Sequence, residues 1–566
     1  MNFRDMNRWQ VDASVLRDVE RSTWNQPFEH KLTMMSGRLV PVMCKEVIAG
    51  DTFRVDVSAV IRSITPAVPV MDNSFIDLFF FNVPFRLCTL HDNDWQQVIG
   101  ENFSGPWAQS TEKNLYNTGN TGTIAGLFGG DVGFNGIEPG SLANYLGLPI
   151  LESSEADQFD NSQAPINVMK IIGFYKIWNE YFRDENVQNP LDFANDWSQI
   201  IGESGIASDL PKVCKIKGDP FTGALPAPQR GASVELPLGA SAPVLTSTTQ
   251  QVTGSQTALH FRNVNGNALA SNKWNLGVDA SGKAGVSTTD PGTLQNQVYI
   301  DNLYADLSKA TASTINQIRL AFALQRYAER NARGGGRYRS YILSMYGVNI
   351  SDSIVQVPEY LGGLRMPLNI TQVLQNAPVS GVSPLGTTGA FSNTAFSHKG
   401  FVKSFKEQGY LYCVACIRTQ QSYSQGISKD WYRVNKIDFY NSVFAHIGEQ
   451  PIYKSELYAL GATDLYKGSV FGYNEAWYDY RYNPTQVSGY LAPDAKDATL
   501  TAWTYTNKFT AAPVLNSTFM QQPESQIGDT LAVTSSNYQF LCDFYFDMKT
   551  TRPMPLFSIP GLLDHF

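Results

Sequence analysis

The residues most able to do chemistry are Cys413 and Cys416, whose CxxC spacing is that of a dithiol redox centre or half a zinc site. A zinc site needs a second pair, and the sequence contains no second CxxC. Both cysteines also fall inside the strand-like run Tyr410 to Ile417, where free thiols act as small buried apolar groups. His446 and Glu449 in AHIGEQ have metal-motif spacing but lack the second histidine of HExxH. The six histidines are widely separated, and no GxSxG elbow accompanies any of them. Asp184 with Glu185 and Glu475 with Asp479 are possible acid/base pairs, yet a chain with 51 Asp and Glu produces such neighbours by chance. Gly334-Gly335-Gly336 lacks the GK[ST] ending of a phosphate-binding loop and follows a helical pattern, so it reads as a helix stop. No catalytic residue and no cofactor site is assigned, metal ligands stay unassigned, and the reading is of a protein that is not an enzyme.

One cluster survives this filter. Arg326, Arg330, Arg333, Arg337 and Arg339 gather around the glycine stop with only Glu329 to offset them. Cations near a helix C-terminus are favourably placed in water, and the same cluster suits contact with phosphates or with the acidic side chains of a neighbouring subunit.

The elements that would position these residues are mostly strands. Phe53, Val55 and Val57 alternate with Arg54, Asp56 and Ser58 after a Gly50-Asp51 turn, which predicts a half-buried strand. FIDLFFFNVPF (Phe75 to Phe85) is continuous and aromatic, as in a strand buried on both faces and ended by Pro84. FVKSFKEQGYLYCVACIRTQQSY (Phe401 to Tyr423) and NYQFLCDFYFDMKTT (Asn537 to Thr551) add the strongest later strands. A helix is expected from Pro165 to about Asp184. A second is expected from Thr314, where Thr314 and Gln317 fit a capping box, to the glycines, and a third from Arg337 to Tyr346, ending at Gly347. Between them, 239–297 is polar and glycine-rich, too long for an ordinary loop, and reads as one insertion.

At 566 residues the chain exceeds the roughly 250 to 300 residues at which a single core stops growing. Charged residues make up 17%, below the usual share of about 25%, so much of the surface is expected to meet protein rather than water. A net charge of -8 argues against condensing nucleic acid through the overall field. Six scattered cysteines fit a reducing compartment, and no apolar run approaches the roughly 18 residues that span a bilayer. The N-terminus lacks the apolar stretch of a secretory signal.

These segments also resemble, in order, the major capsid protein family of the Microviridae, in its gokushovirus-like branch of small icosahedral single-stranded DNA bacteriophages. The resemblance rests on GRLVPVMCKEVIAGDTFRVD, TPAVPVMDNSFIDLFFFNVPFRL, KIWNEYFRDENVQNP, DPFTGALPAPQRG, ARGGGRY, PEYLGG, Gly409 to Gln450, VFGYNEAWYDYRYNPTQVSGYL and MPLFSIPGLLDHF. Ala227 departs from an expected aromatic, and the N-terminal arm and middle insertion do not align.

The resemblance implies a mainly β fold, an eight-stranded antiparallel jelly-roll barrel with long loop and helical insertions. The implied division is an N-terminal arm 1–36 and one capsid domain 37–566, carrying a protruding insertion 239–297 and a helical insertion 308–347. Pentamers of the chain would build a closed shell of about sixty copies around a circular single-stranded DNA genome. Implied partners are an internal scaffolding protein, a small basic DNA-packaging protein, a pilot protein and a host surface receptor. The implied location is the virion, assembled in the host cytoplasm. Leu259 and Phe261 are expected to meet symmetry mates where three insertions gather, and Ser558 to Phe566 to pack against the shell. A glycan-binding surface protein is the rival from another class, which the absent signal disfavours. A virion spike is the rival within it, distinguished by failure to form shells.

Overall fold

The computed structural model describes residues 19–89, 121–123, 137–151, 165–191, 209–234, 244–246, 261–263, 275–278, 284–287, 296–300, 303–305, 315–377, 385–459, 468–494, 500–533 and 537–557. Two compact units divide the chain: 1–228 with 331–566, and Gln229–Arg330.

The first unit is built on two antiparallel sheets. Its strands are β1 (Ser22–Asn25), β2 (Phe28–Met34), β3 (Val40–Val47), β4 (Thr52–Ser63), β5 (Ser74–Pro84), β6 (Glu359–Pro367), β7 (Ile370–Leu374), β8 (Thr388–Ser392), β9 (Thr394–Ser404), β10 (Gly409–Thr419) and β11 (Phe540–Arg552). One sheet runs β2-β11-β4-β9, with β1 also on β11, and the other runs β6-β5-β10-β3. Pro27 separates β1 from β2, since it has no N–H to give the ladder. Gln26 still donates its N–H to Met548 O at 2.8 Å. Ser22–Met34, assigned from sequence to the arm 1–36, is thus largely sheet.

The predicted alternation in β4 is present: Phe53, Val55, Val57, Ala59 and Ile61 are buried while Arg54 and Arg62 are exposed. β5 is buried almost throughout, because both its faces are covered. Phe80 meets Phe401 of the facing sheet, with centroids 5.4 Å apart. On the other face Phe79 and Phe81 pack on Phe182 and Tyr181, at 5.3 and 4.7 Å. Those partners follow helix α1 (Met169–Ile177), which lies so close to β10 that a Cβ at Gly173 would sit 2.6 Å from the Tyr412 hydroxyl. That hydroxyl donates to Lys170 O at 2.8 Å.

The first helix differs from expectation at its start. Pro165–Asn167 forms a short strand with Thr121–Thr123, which takes Pro165 out of the first helical position. Helix begins at Met169, whose N–H is accepted by Asn167 Oδ1 at 2.8 Å. Trp178–Phe182 continues as a π-helix, closed by Arg183 N–H donating to Trp178 O at 3.0 Å.

The second unit contains an antiparallel sheet in the order 275–278, 284–287, 296–300, 261–263, and a pair formed by 244–246 and 303–305. Its limits, 229–330, are wider than 239–297 and overlap the 308–347 helical segment. Helix α2 (Ile315–Gly334) starts in this unit, and α3 (Tyr338–Tyr346) follows in the first, ended by Gly347 at φ +70°. Thr314, Leu259 and Ser558 to Phe566 lie outside the described residues. Among the described residues no helix is long and apolar enough to cross a membrane.

Candidate assembly surface

The turn between α2 and α3 has little room. Gly335 takes φ +86°, and a Cβ at Gly334 would lie 2.4 Å from Ser344 Oγ, so the backbone itself requires glycine here. Gly336 N–H donates to Glu185 Oε1 at 2.9 Å, which ties the turn to the segment after the π-helix. Arg337 then reaches into that segment. Its Nη2 donates to the carbonyls of Asn179 and Arg183, both at 3.1 Å, and its Nε lies 3.7 Å from Glu180 and from Glu185. Burial raises the carboxyl pKa of Glu180, and the guanidinium of Arg337 opposes that rise.

Two more members of the arginine cluster are also tied within the chain. Arg339 pairs with Asp352, whose other oxygen accepts the Tyr360 N–H of β6 at 3.2 Å. Arg333 pairs with Glu449. Arg326 and Arg330 lie on the exposed part of α2 and have no carboxylate partner among the described residues. The sequence cluster therefore divides into three arginines that fasten helices and turns, and two that face outward.

The other residues considered for chemistry are not brought together. Cys413 and Cys416 are fully buried on β10 and, three positions apart, point to opposite faces. Burial pushes the Cys416 thiol up to about 12 and raises that of Cys413 as well. Asp184 pairs with Lys217 at 2.7 Å, Glu475 with Arg481, and Asp479 with Arg433. Each carboxylate thus faces a cation rather than a second acid. Among the described residues no group of three or more His, Cys, Asp or Glu could hold a metal ion. Phe261 lies in the strand Phe261–Asn263, opposite Ile300.

What the surface does carry is apolar. α3 buries none of its residues, and Tyr338, Leu343 and Tyr346 are exposed. The segment 429–447 winds through three short 3₁₀ turns. It presents Trp431 at 79% exposure, Val443 at 81%, and Val434, Ile437, Phe439 and Ile447 beside them. This segment is fixed rather than loose. Asn441 Oδ1 accepts the Val443 N–H at 3.0 Å, and Trp477 Nε1 donates to Phe444 O at 2.8 Å. Contiguous apolar side chains held rigidly in water mark a contact surface. Sequence reading missed them because their spacing follows neither the strand nor the helix period.

The comparisons with known proteins agree with a surface made for contact. The family model described as capsid protein (F protein) matches residues 13–562. The chain is 31% identical over 601 residues to capsid protein VP1 of Chlamydia phage 1, covering 96% of each chain. It is 30% identical over 559 residues to capsid protein VP1 of Spiroplasma virus 4, and 34% identical over 559 residues to that of Bdellovibrio phage phiMH2K, again at 96% of each chain. With similarity running along almost its whole length, the chain belongs to the capsid protein (F protein) family, among the gokushoviruses of the Microviridae, as a structural component of the virion and not an enzyme.

Proposed function

We propose that the chain self-assembles, through pentamers, into a closed icosahedral shell of about sixty copies that encloses a circular single-stranded DNA genome. The observation that carries this reading is the rigid apolar surface on α3 and 429–447, which a solitary soluble subunit would have no reason to expose. The barrel is read as an eight-stranded jelly roll. If β1 and β2 count as one edge strand broken at Pro27, the strands divide equally between two four-stranded sheets: β2, β4, β9 and β11 in one, β3, β5, β6 and β10 in the other.

A subunit with a net charge of -8 cannot neutralise phosphates by its overall field. The reading therefore includes a small basic DNA-packaging protein, together with an internal scaffolding protein, a pilot protein, assembly in the host cytoplasm and a host receptor met by the 239–297 insertion. Arg326 and Arg330 are assigned to a subunit contact or to the genome-facing surface.

Electron microscopy of the purified assembly tests the proposal, with shells of one diameter expected and spikes or unassembled chains counting against it. In the same preparation, Arg326→Gln with Arg330→Gln should either lower retained DNA or block assembly. Normal shells with normal DNA content would remove both assignments.

A further inference from the structure

β7 and β8 form a two-stranded ribbon that extends beyond the barrel between β6 and β9. Its base is clamped: Leu368 N–H donates to Ser74 O at 2.8 Å, Asn369 N–H donates to Thr394 Oγ1 at 2.8 Å, and Ala390 and Ser392 are buried. Beyond the base it stands in water, with Leu374 at 52% exposure and Leu385 at 66%, and at the base itself Phe391, between the two buried residues, is 50% exposed. Isolated two-stranded ribbons are marginally stable in water and gain most from a third strand or a covering surface.

The ribbon's open side is β7. Among the described residues neither strand pairs on its outer edge, but β7 is the one laid open, with Thr371 to Leu374 all exposed where β8 buries Ala390 and Ser392. Natural edge strands are normally protected by a lysine, a proline, a bulge or a cover. This edge reads Ile370-Thr371-Gln372-Val373-Leu374, with no charge, no proline and three β-branched residues, and its register with β8 has no bulge. The neutrality is regional. No Asp, Glu, Lys or Arg occurs between Arg365 and Lys399, in a chain where such residues make up 17%.

We infer that the open edge of β7 pairs antiparallel with the same strand of a second copy of this chain, joining two ribbons into one four-stranded sheet across a two-fold axis. The inference rests on the capsid reading for its setting. Chemistry selects the partner. A basic peptide or a nucleic acid gains nothing from a charge-free strand, whereas two copies that each carry -8 approach most easily where neither surface is charged. The edge is also self-complementary. With Gln372 on the axis, Thr371 faces the second copy's Val373 and Ile370 faces its Leu374, so every cross-strand pair joins β-branched, apolar or amide side chains. Backbone hydrogen bonds of the added strands supply the attraction, as in other strand-addition contacts.

Two variants test the pairing. In Gln372→Cys the new thiols would face each other on the axis, while the native cysteines are buried apart from half-buried Cys44. Mild oxidation should then give disulfide-linked dimers in assembled particles at least about tenfold above the yield in dilute subunits, because assembly raises the local thiol concentration. A cysteine at exposed Val402 is the control and should stay monomeric. Val373→Lys places a charge on the edge and should abolish shells while leaving the subunit's thermal midpoint unchanged. Particles that assemble normally with Val373→Lys, and stay uncross-linked with Gln372→Cys, overturn the pairing and leave the capsid reading intact. If the parent chain forms no shells, the capsid reading fails instead, and the cross-link yield in concentrated soluble chain decides the pairing alone.

Discussion

Lys215 illustrates what a single buried charge does to this subunit. Its side chain is almost fully buried, with the ammonium 4.3 Å above the ring of Phe519, and burial pushes its pKa down to about 8 against the modest opposition of Asp219. Between pH 8 and the ordinary value of 10.5, the unfolded chain holds a proton that the folded chain has released. Raising the pH through that window therefore favours folding at this site. Buried thiols and phenols pull the other way, so the effect must be read as a difference. Relative to Lys215→Met, the parent should gain about 3 kcal/mol of stability across the window, measured by denaturant unfolding at each pH. A constant difference would show that the ammonium is solvated. The buried cysteines behave as sequence reasoning expected of apolar thiols. Lys215 was invisible there, because nothing in its neighbours along the chain marks it as buried.

At the scale of elements, the sheet β6-β5-β10-β3 contains an ionic triad. Asp77 of β5, with 1% side-chain exposure, accepts Arg365 of β6 through Nε at 2.6 Å and Nη2 at 3.0 Å, and Arg418 of β10 through Nε at 2.9 Å. Asp77→Asn leaves two guanidiniums facing a neutral group between three strands, which should cost roughly 3–5 kcal/mol in denaturant unfolding. Adding Arg418→Leu should recover part of that loss, and a cost below about 1 kcal/mol would mean that water reaches the site. The strands themselves were legible. Alternation in β4, the aromatic run of β5 and the cysteine-bearing β10 follow from period and composition, and α3 with its glycine stop was placed within a residue. The start of α1 was not, because Pro165 suits a first helical turn and a strand end equally, and only pairing with Thr121–Thr123 decides between them. The β7–β8 ribbon was missed because its pattern is weak: neither Ile370–Leu374 nor Thr388–Ser392 alternates apolar with polar residues. The arginine cluster was visible as a cluster. Its division was not, since the partners come from three separate stretches of the sequence: Glu180 with Glu185, Asp352, and Glu449.

For the molecule as a whole, the separation into two compact units allows the barrel and the insertion to be tested apart. Replacing 239–297 by a short Gly-Ser linker should leave particles that assemble but attach poorly to host cells, because exposed excursions on a rigid scaffold meet the host first. Attachment assays beside electron microscopy read both halves. Loss of shells with a folded first unit would make the insertion an assembly element and end the attachment assignment.

The position of β11 has a consequence for synthesis. Formed by Phe540–Arg552, it lies in the middle of its sheet, between β2 near the start of the chain and β4. A nascent polypeptide cannot complete that sheet until its final strand has left the ribosome, so its folding is delayed by sequence-distant pairing. Until then β2 and β4 have an open gap between them, a state that chaperones would bind and proteases would cut. A product stopped short of Phe540 would lack the strand that joins β2 to β4. The fold thus works as a check on length, since only chains translated past Arg552 can close this sheet.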